Sequence, residues 1–380
     1  MSLTVLNVAF WLAVVGPESV GGAEQILLQI DEGLVRSGHN SFVIARPESK
    51  IAGTLIPTVA VDGRVSDEGW RVAHESIRNA IADALRRHPV DLVHLHGVDF
   101  ADYLPAADVP VLVTLHLPLH WYKPNVLTVA RPNTFFNCVS RSQAETFPTT
   151  LPMLAVLENG VSSDLFRHRG IRKRKFAAAL GRICPEKGFD LALRACRQAH
   201  TPMLLAGKVF PFREHQTYFA EQIVPELDSQ RRYIGPVAIR GKGRLLSAAA
   251  CLVVPSLAPE TSSLVAREAL ACGTPIVAFA NGALPEVVRQ GETGFLVQHQ
   301  DELPAAIRAC LPWIRNDAGK LRDSASPRTA WSKTISPHTA GFWRGHVGCR
   351  RRPDPEGHCG SGADQWVRGY ASPIHRLRIG

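Results

Sequence analysis

The 380-residue chain is 45% hydrophobic, enough apolar material for two sizeable cores, and its length favours two or three domains. No run of eighteen or more apolar residues occurs, which excludes a membrane-spanning helix, and eight cysteines without a Cys-x-x-Cys pair fit reduced thiols in a cytoplasmic protein. The net charge of +9 is local: residues 320–380 hold 11 Lys/Arg against 4 Asp/Glu, the other 319 residues 32 against 30, and a nearly neutral body argues against a nucleic-acid partner.

Residues 1–16 are apolar like a signal peptide, but they lack a basic n-region and run into a Gly-Gly loop. They read as a buried parallel strand (residues 3–10) with its following loop. After GPESVGGAEQ an amphipathic helix is expected over 23–37, with Ile26, Leu27, Ile30, Leu34 and Val35 at helical spacing and Gly38 at its end. Strand, glycine-rich loop and helix make a phosphate-binding geometry in which Gly21 and Gly22 let a diphosphate approach the backbone; a plain tight turn is the bland alternative.

Strands are expected over 41–45 and 55–61, then a helix over 67–87 with Ile77, Ile81 and Leu85 on one face. Strands over 90–95 and 111–115 end in HLHG and HLPLHWY. His94, His96, His116 and His120 therefore stand at carboxyl ends of parallel strands, where open α/β sheets bind ligands. No cysteine or carboxylate stands beside them at ligand spacing, so no zinc site is expected there, and His94, His96 and His120 read as structural. Strands over 134–139 and 154–157 lead into ENGVSSDLF and the basic run RHRGIRKRK. Without interleaved aromatics that run reads as a solvated linker.

A strand over 176–180 restarts the pattern and leads into GRICPEKGFDLALRA, where a loop carrying Arg182 and Lys187 opens a helix. It is not a Walker loop, because Gly-Lys-Ser/Thr is absent. Strands over 202–206 and 233–235 and a helix over 243–250 follow. Residues 252–297 then supply a strand (252–255), a loop with Glu260, a helix with Glu268 closed by Gly273 and Pro275, and a second strand (276–279). A loop with Gly282, a short helix (284–289) and a Gly-Phe-Leu-Val strand complete it. Glu260 and Glu268, eight residues apart, are placed to face one crevice, with helix-start N–H groups between them for an anion. Carboxylates for hydroxyls beside an anion site suit a polyol joined to a diphosphate; two solvated glutamates on an ordinary αβ unit are the bland alternative.

PETSSLVAREALACGTPIVA, followed by NGALPEVV and GETGFLV, resembles the donor-site signature of retaining, nucleotide-sugar-dependent glycosyltransferases of family 4, and the resemblance covers roughly residues 3–313. It implies the GT-B fold: α/β, two Rossmann-like doubly wound parallel-sheet domains facing an inter-domain cleft. The acceptor-side domain would be 1–157, the linker 158–175 and the nucleotide-sugar-binding domain 176–319. The implied activity is transfer of a sugar from a UDP- or GDP-hexose with retention of configuration, with no permanently bound cofactor. By the family pattern Gly21 and Gly22 approach the donor, His116 lies near the sugar's anomeric centre, and Arg182 and Lys187 hold the donor phosphates. Glu260 contacts the sugar and Glu268 the ribose, while Thr261, Ser262, Ser263 and Leu264 offer N–H groups to the diphosphate. Two cations aimed at the leaving phosphate stabilise the transition state more than the ground state. No Asp-x-Asp occurs, so a metal-bridged diphosphate is not expected. The resemblance implies front-face attack, with the leaving phosphate accepting the proton. The acceptor is a saccharide, a lipid-linked molecule or an aromatic small molecule, with Trp11, Trp121 and Tyr122 as aromatic contacts. VAFWLAVVGPESVGGAEQ is similar to the pteridine glucosyltransferases of this family.

Two features depart from the family. Thr261-Ser262-Ser263-Leu264 lacks the usual aromatic and glycine, so the backbone is expected to approach phosphate less closely, with two hydroxyls in compensation. Residues 320–380 show no helical period yet hold three of seven tryptophans. They read as a frame-shifted or otherwise aberrant end, a basic arm for peripheral contact with an anionic membrane, or a metal site around His358-Cys359. Rival functions are a nucleotide-sugar 2-epimerase on the same fold and a catalytically impaired nucleotide-sugar-binding protein. A retaining glycosidase using Glu260 and Glu268 would leave the phosphate-binding features without a purpose.

Overall fold

The computed structural model describes residues 2–59, 67–106, 108–128, 131–166 and 171–314; the expectations on residues 60–61, 167–170 and 320–380 lie outside them. The chain builds two all-parallel sheets. The first holds β1 (Thr4–Val8), β2 (Asn40–Ala45), β3 (Thr54–Pro57), β4 (Leu92–Leu95), β5 (Val111–Leu115), β6 (Thr134–Cys138) and β7 (Met153–Val156), in the order β3-β2-β1-β4-β5-β6-β7. The second holds β8 (Ala177–Leu180), β9 (Met203–Ala206), β10 (Arg231–Tyr233), β11 (Cys251–Val254), β12 (Ile276–Phe279) and β13 (Gly294–Val297), in the order β10-β9-β8-β11-β12-β13. Each order reverses once, between β1 and β4 and between β8 and β11. A doubly wound sheet opens a ligand crevice at that place.

Unbroken apolar runs become parallel strands covered on both faces. Every residue of β1, β5, β8 and β11 is buried. On one face of the first sheet the helix Gly22–Arg36 sets Ile26, Ile30 and Leu34 against Val5. On the other, the helix Asp67–Arg87 sets Ala73, Ile77 and Ile81 among Leu6, Val8 and Leu95. The second sheet shows the period of two directly. Ala177, Ala179 and Val253 face a core with the helices Phe189–Gln198 and Leu303–Cys310. Ala178, Leu180 and Leu252 face another with Ile239–Ala248 and Leu264–Ala271. Each fully buried aliphatic side chain stabilises the fold by about 1.5–3 kcal/mol.

Three local outcomes differ from sequence expectation. The strand expected over 55–61 ends at Pro57, which has no N–H for the ladder. The helix expected over 243–250 begins at Ile239, because burial of Leu246 in the second core overrides the poor helix propensity of Gly241 and Gly243. Residues 213–226, where no element was expected, are helical: Arg213–Tyr218 continues through a π turn and a 3-10 turn, anchored by buried Tyr218 and Ile223. Among the described residues no helix is long and apolar enough to cross a membrane.

The two sheets' loops meet directly. The Thr261 hydroxyl donates to the His116 carbonyl at 2.8 Å, and the backbone N–H groups of Arg141 and Ser142 donate to the Glu286 carboxylate at 3.0 and 2.7 Å. Arg267 pairs with Glu158 on the connecting segment at 2.9 Å.

Candidate active site

The switch point of the second sheet places the loops after β8 and β11 side by side. Lys187 leaves a 3-10 turn (Pro185–Lys187) and donates to Glu260 Oε1 at 2.5 Å; the Ser256 hydroxyl donates to the same oxygen at 2.5 Å. Burial opposes ionisation of Glu260, but the charge and hydrogen bond of Lys187, the Ser256 hydroxyl and the Arg182 charge outweigh it and hold the carboxyl below its ordinary value. Two glycines make this packing possible. At Gly188 (φ +59°) a Cβ would fall 2.4 Å from the Pro255 carbonyl, and at Gly282 (φ +61°) one would fall 2.3 Å from the Glu260 carbonyl. The Ala283 N–H then donates to that Glu260 carbonyl at 2.7 Å, fixing the loop from below.

The Arg182 guanidinium makes no hydrogen bond or ion pair among the described residues, although its charge acts on Glu260, Glu186 and, across from the first domain, Glu24. A half-buried cation facing carboxylates without pairing is poised for an anion that arrives later.

The helix Leu264–Ala271 begins beside this cluster. Its cap Ser263 holds φ +49° with no capping hydrogen bond, and the buried hydroxyls of Ser262 and Ser263 have no partner among the described residues. The site that lacks the family's glycine thus still adopts the left-handed conformation a glycine favours. Ser263→Gly should therefore stay within about 1 kcal/mol of the wild type in urea denaturation, whereas Ser263→Val should cost about 1–3 kcal/mol; equal stability of both would remove the strain from this position.

The first domain reaches the same place. A Cβ on Gly22 would touch Leu264 at 3.3 Å, so this loop lies against the helix start. The space over Gly21 is taken by Glu24, whose carboxylate would lie 1.8 Å from a Cβ there. Burial raises the Glu24 carboxyl above its ordinary value, against a backbone hydrogen bond and the Arg182 charge.

Glu268 is placed differently from Glu260. It is 2% exposed and ion-paired to Lys242, which also lies over the Phe166 ring at 5.6 Å. Burial pushes its carboxyl up, and Lys242 only partly offsets that. The two glutamates thus meet two different lysines.

At the carboxyl ends of β4 and β5, His94, His96 and His116 form a row, with ring centroids 4.0 and 5.3 Å apart. His94 Nε2 meets the Thr114 hydroxyl at 2.7 Å, which donates to Asn137 at 2.7 Å. His96 Nδ1 and His116 Nε2 share one hydrogen bond at 3.0 Å, and His96 Nε2 is buried without a partner among the described residues. Burial holds the His94 ring down to about 3 and the His116 ring to about 4, and His96 well below its ordinary value; all three are neutral at physiological pH. The His116 carbonyl is taken by Thr261 and its N–H by the Tyr122 hydroxyl at 3.0 Å. Its ring Nδ1 makes no hydrogen bond among the described residues.

Two expected aromatic contacts are corrected. Trp11 is 3% exposed and packs edge-on against Trp70 at 5.0 Å, and Tyr122 is 5% exposed with its hydroxyl spent on the His116 backbone; only Trp121 keeps partial exposure. Sequence reasoning missed Glu24, Ser256 and Lys242. Glu24 stood inside the GGAEQ loop, two residues past the glycines, while Ser256 and Lys242 carry no pattern and are brought in only by packing.

Residues 20–165 match the family described as Glycosyltransferase Family 4, and residues 174–315 match Glycosyl transferases group 1. The chain is similar to the D-inositol 3-phosphate glycosyltransferase of Mycobacterium avium, 31% identical over 207 residues that cover 50% of this chain and 46% of that protein. It thus spans about half the length of the curated relatives it matches. Among solved structures it is similar to sucrose-phosphate synthase from Thermosynechococcus elongatus, with a TM-score of 0.74 and 20% identity over 91% of this chain and 99% of that one. It is also similar to Anabaena HepE in complex with UDP-glucose, with a TM-score of 0.71 and 20% identity over 90% of this chain and 100% of that one. At such identities the structural likeness speaks for the fold.

Proposed function

Because the chain belongs to the family 4 glycosyltransferases and has the two-domain GT-B fold, we propose that it transfers a hexosyl group from UDP-hexose to an acceptor with retention of anomeric configuration. The observation that carries the reading is the Arg182 guanidinium, unpartnered among the described residues, beside the Lys187–Glu260 pair, with the Ser262 and Ser263 hydroxyls, likewise orphaned, at the next helix start. Arg182 and Lys187 bind the diphosphate oxygens, in place of a bridging cation, and take up the charge that grows there as the glycosidic bond breaks. Lys187 keeps its hold on Glu260, so the ionised carboxylate is positioned to accept hydrogen bonds from sugar hydroxyls. The N–H groups of Ser263 and Leu264, with the two serine hydroxyls, complete the phosphate cradle.

His116 offers its ring Nδ1 toward the transferred sugar, its other polar groups being committed. Glu268 contacts the ribose once it exchanges part of its bond to Lys242 for the ribose hydroxyls. The acceptor enters over residues 1–157, and residues 176–319 hold the donor. UDP is favoured because the structurally similar HepE is a UDP-glucose complex.

Calorimetric titration of the full chain with UDP, GDP and ADP tests this. UDP is expected to bind at one site, with GDP and ADP at least about tenfold weaker, a difference of about 1.4 kcal/mol. No heat with any of the three would overturn the reading.

A further inference from the structure

A second cluster sits behind the donor turn. Cys184 Sγ, a carboxylate oxygen of Glu186 and a ring nitrogen of His215 lie within 4.8 Å of one another. Cys184 and Glu186 come from the turn that presents Lys187. His215 comes from the helix Arg213–Tyr218, the element without a sequence signal. His215 is 7% exposed with Nδ1 buried and unpartnered among the described residues, and Glu186 Oε2 is likewise buried without a hydrogen bond among them. Buried polar atoms orphaned in this way are rare in a folded protein. An open hollow of about 570 Å³, lined by Pro185, Glu214, Thr217 and Tyr218, runs beside the chain neighbours of all three groups.

We propose that these three side chains bind one Zn²⁺ ion, which pins the turn 184–188 to the helix Arg213–Tyr218. One thiolate, one imidazole and one carboxylate form a three-protein-ligand zinc set with a fourth position left for water, and a borderline-soft ligand mixture selects zinc over magnesium or calcium. The charges balance. The Cys184 thiol releases its proton to solvent as the S–Zn bond forms, so thiolate and carboxylate together neutralise the ion. Arg182 and Lys187 are the cations facing the cluster, and the charge of each already acts on Glu260. The ion is structural: the donor's phosphate charge stays with Arg182 and Lys187, while zinc sets the position from which Lys187 extends.

The test uses the full chain stripped with EDTA and dialysed. Zn²⁺ is titrated calorimetrically, and Co²⁺ is followed by its thiolate charge-transfer absorption. One equivalent with that absorption is expected, with affinity falling by at least about 10- to 100-fold in Cys184→Ser and His215→Gln. Cys359→Ser, in the tail, should leave both signals intact. Melting curves of the stripped variants report folding, and Glu186→Gln, at a partly exposed position, supplies the same test should either buried variant fail to fold. Absence of binding, or binding that survives the first two variants and is lost in Cys359→Ser, would overturn the proposal.

Discussion

Arg182→Ala is expected to weaken UDP binding by about 10- to 150-fold while leaving stability nearly unchanged, since a charge-assisted hydrogen bond contributes about 1.5–3 kcal/mol and each 1.4 kcal/mol is tenfold. Among the described residues the guanidinium has no hydrogen-bond or ion-pair partner to lose, so its removal strands none of them. Lys187→Ala should behave differently. It loses a similar increment of UDP affinity and also strands the Glu260 carboxylate, 9% exposed, with Ser256 as its remaining side-chain donor. Breaking a buried pair costs about 3–5 kcal/mol, and because Lys187 itself keeps 27% exposure, about 1–2 kcal/mol is the discounted expectation here. Calorimetry with UDP and urea denaturation of both variants separate the two effects. Unchanged UDP affinity in Arg182→Ala would take the guanidinium out of the donor site.

Mild acid should destabilise the first domain far above the pH at which carboxylates titrate. His94 and His96 are buried and His116 half-buried, all three neutral, with folded-state values held well below 6.5, to about 3 for His94 and about 4 for His116. Below pH 6.5 the unfolded chain takes up a proton on each ring that the folded chain refuses. The stability they contribute is therefore complete above about pH 6.5 and is lost as pH falls toward the folded values. With three rings the slope approaches about 4 kcal/mol per pH unit at its steepest, three times the roughly 1.4 kcal/mol of one proton. Urea denaturation between pH 7.5 and 5.0 measures it, and His94→Asn should reduce the slope by about one proton. A flat profile would mean that the imidazoles protonate inside the fold.

How legible the site was depends on how each residue came to it. Arg182, Lys187 and Glu260 were marked by the resemblance to the family's motifs; each follows a buried strand by a few residues, and adjacent strands at a switch point bring such loops together whatever lies between them in sequence. Glu268 was legible as a helix residue, but its burial against Lys242 was not. Helical spacing gives a face, while the occupant of the opposite face comes from a helix more than twenty residues earlier. Trp11 and Tyr122 carried an aromatic signal equally suited to a pocket wall and to a core. Only the packing of Trp70 and the Tyr122–His116 contact assigns them to the core.

The sequence by itself determined the two sheets, most of their covering helices and the strand-end loops, because burial on both faces and the 3.6-residue period are local patterns along the chain. The tertiary structure alone decided the pairings: Lys187 with Glu260, Lys242 with Glu268, Thr261 with His116 across the domains, and Cys184 and Glu186 with His215. It also decided that Ser263 bears the left-handed turn its neighbours require. The physical reason is common to all of these. Hydrophobic periodicity is written residue by residue, whereas a buried polar group is satisfied by whichever partner the packed layers bring within about 3 Å, and that partner can lie anywhere in the chain.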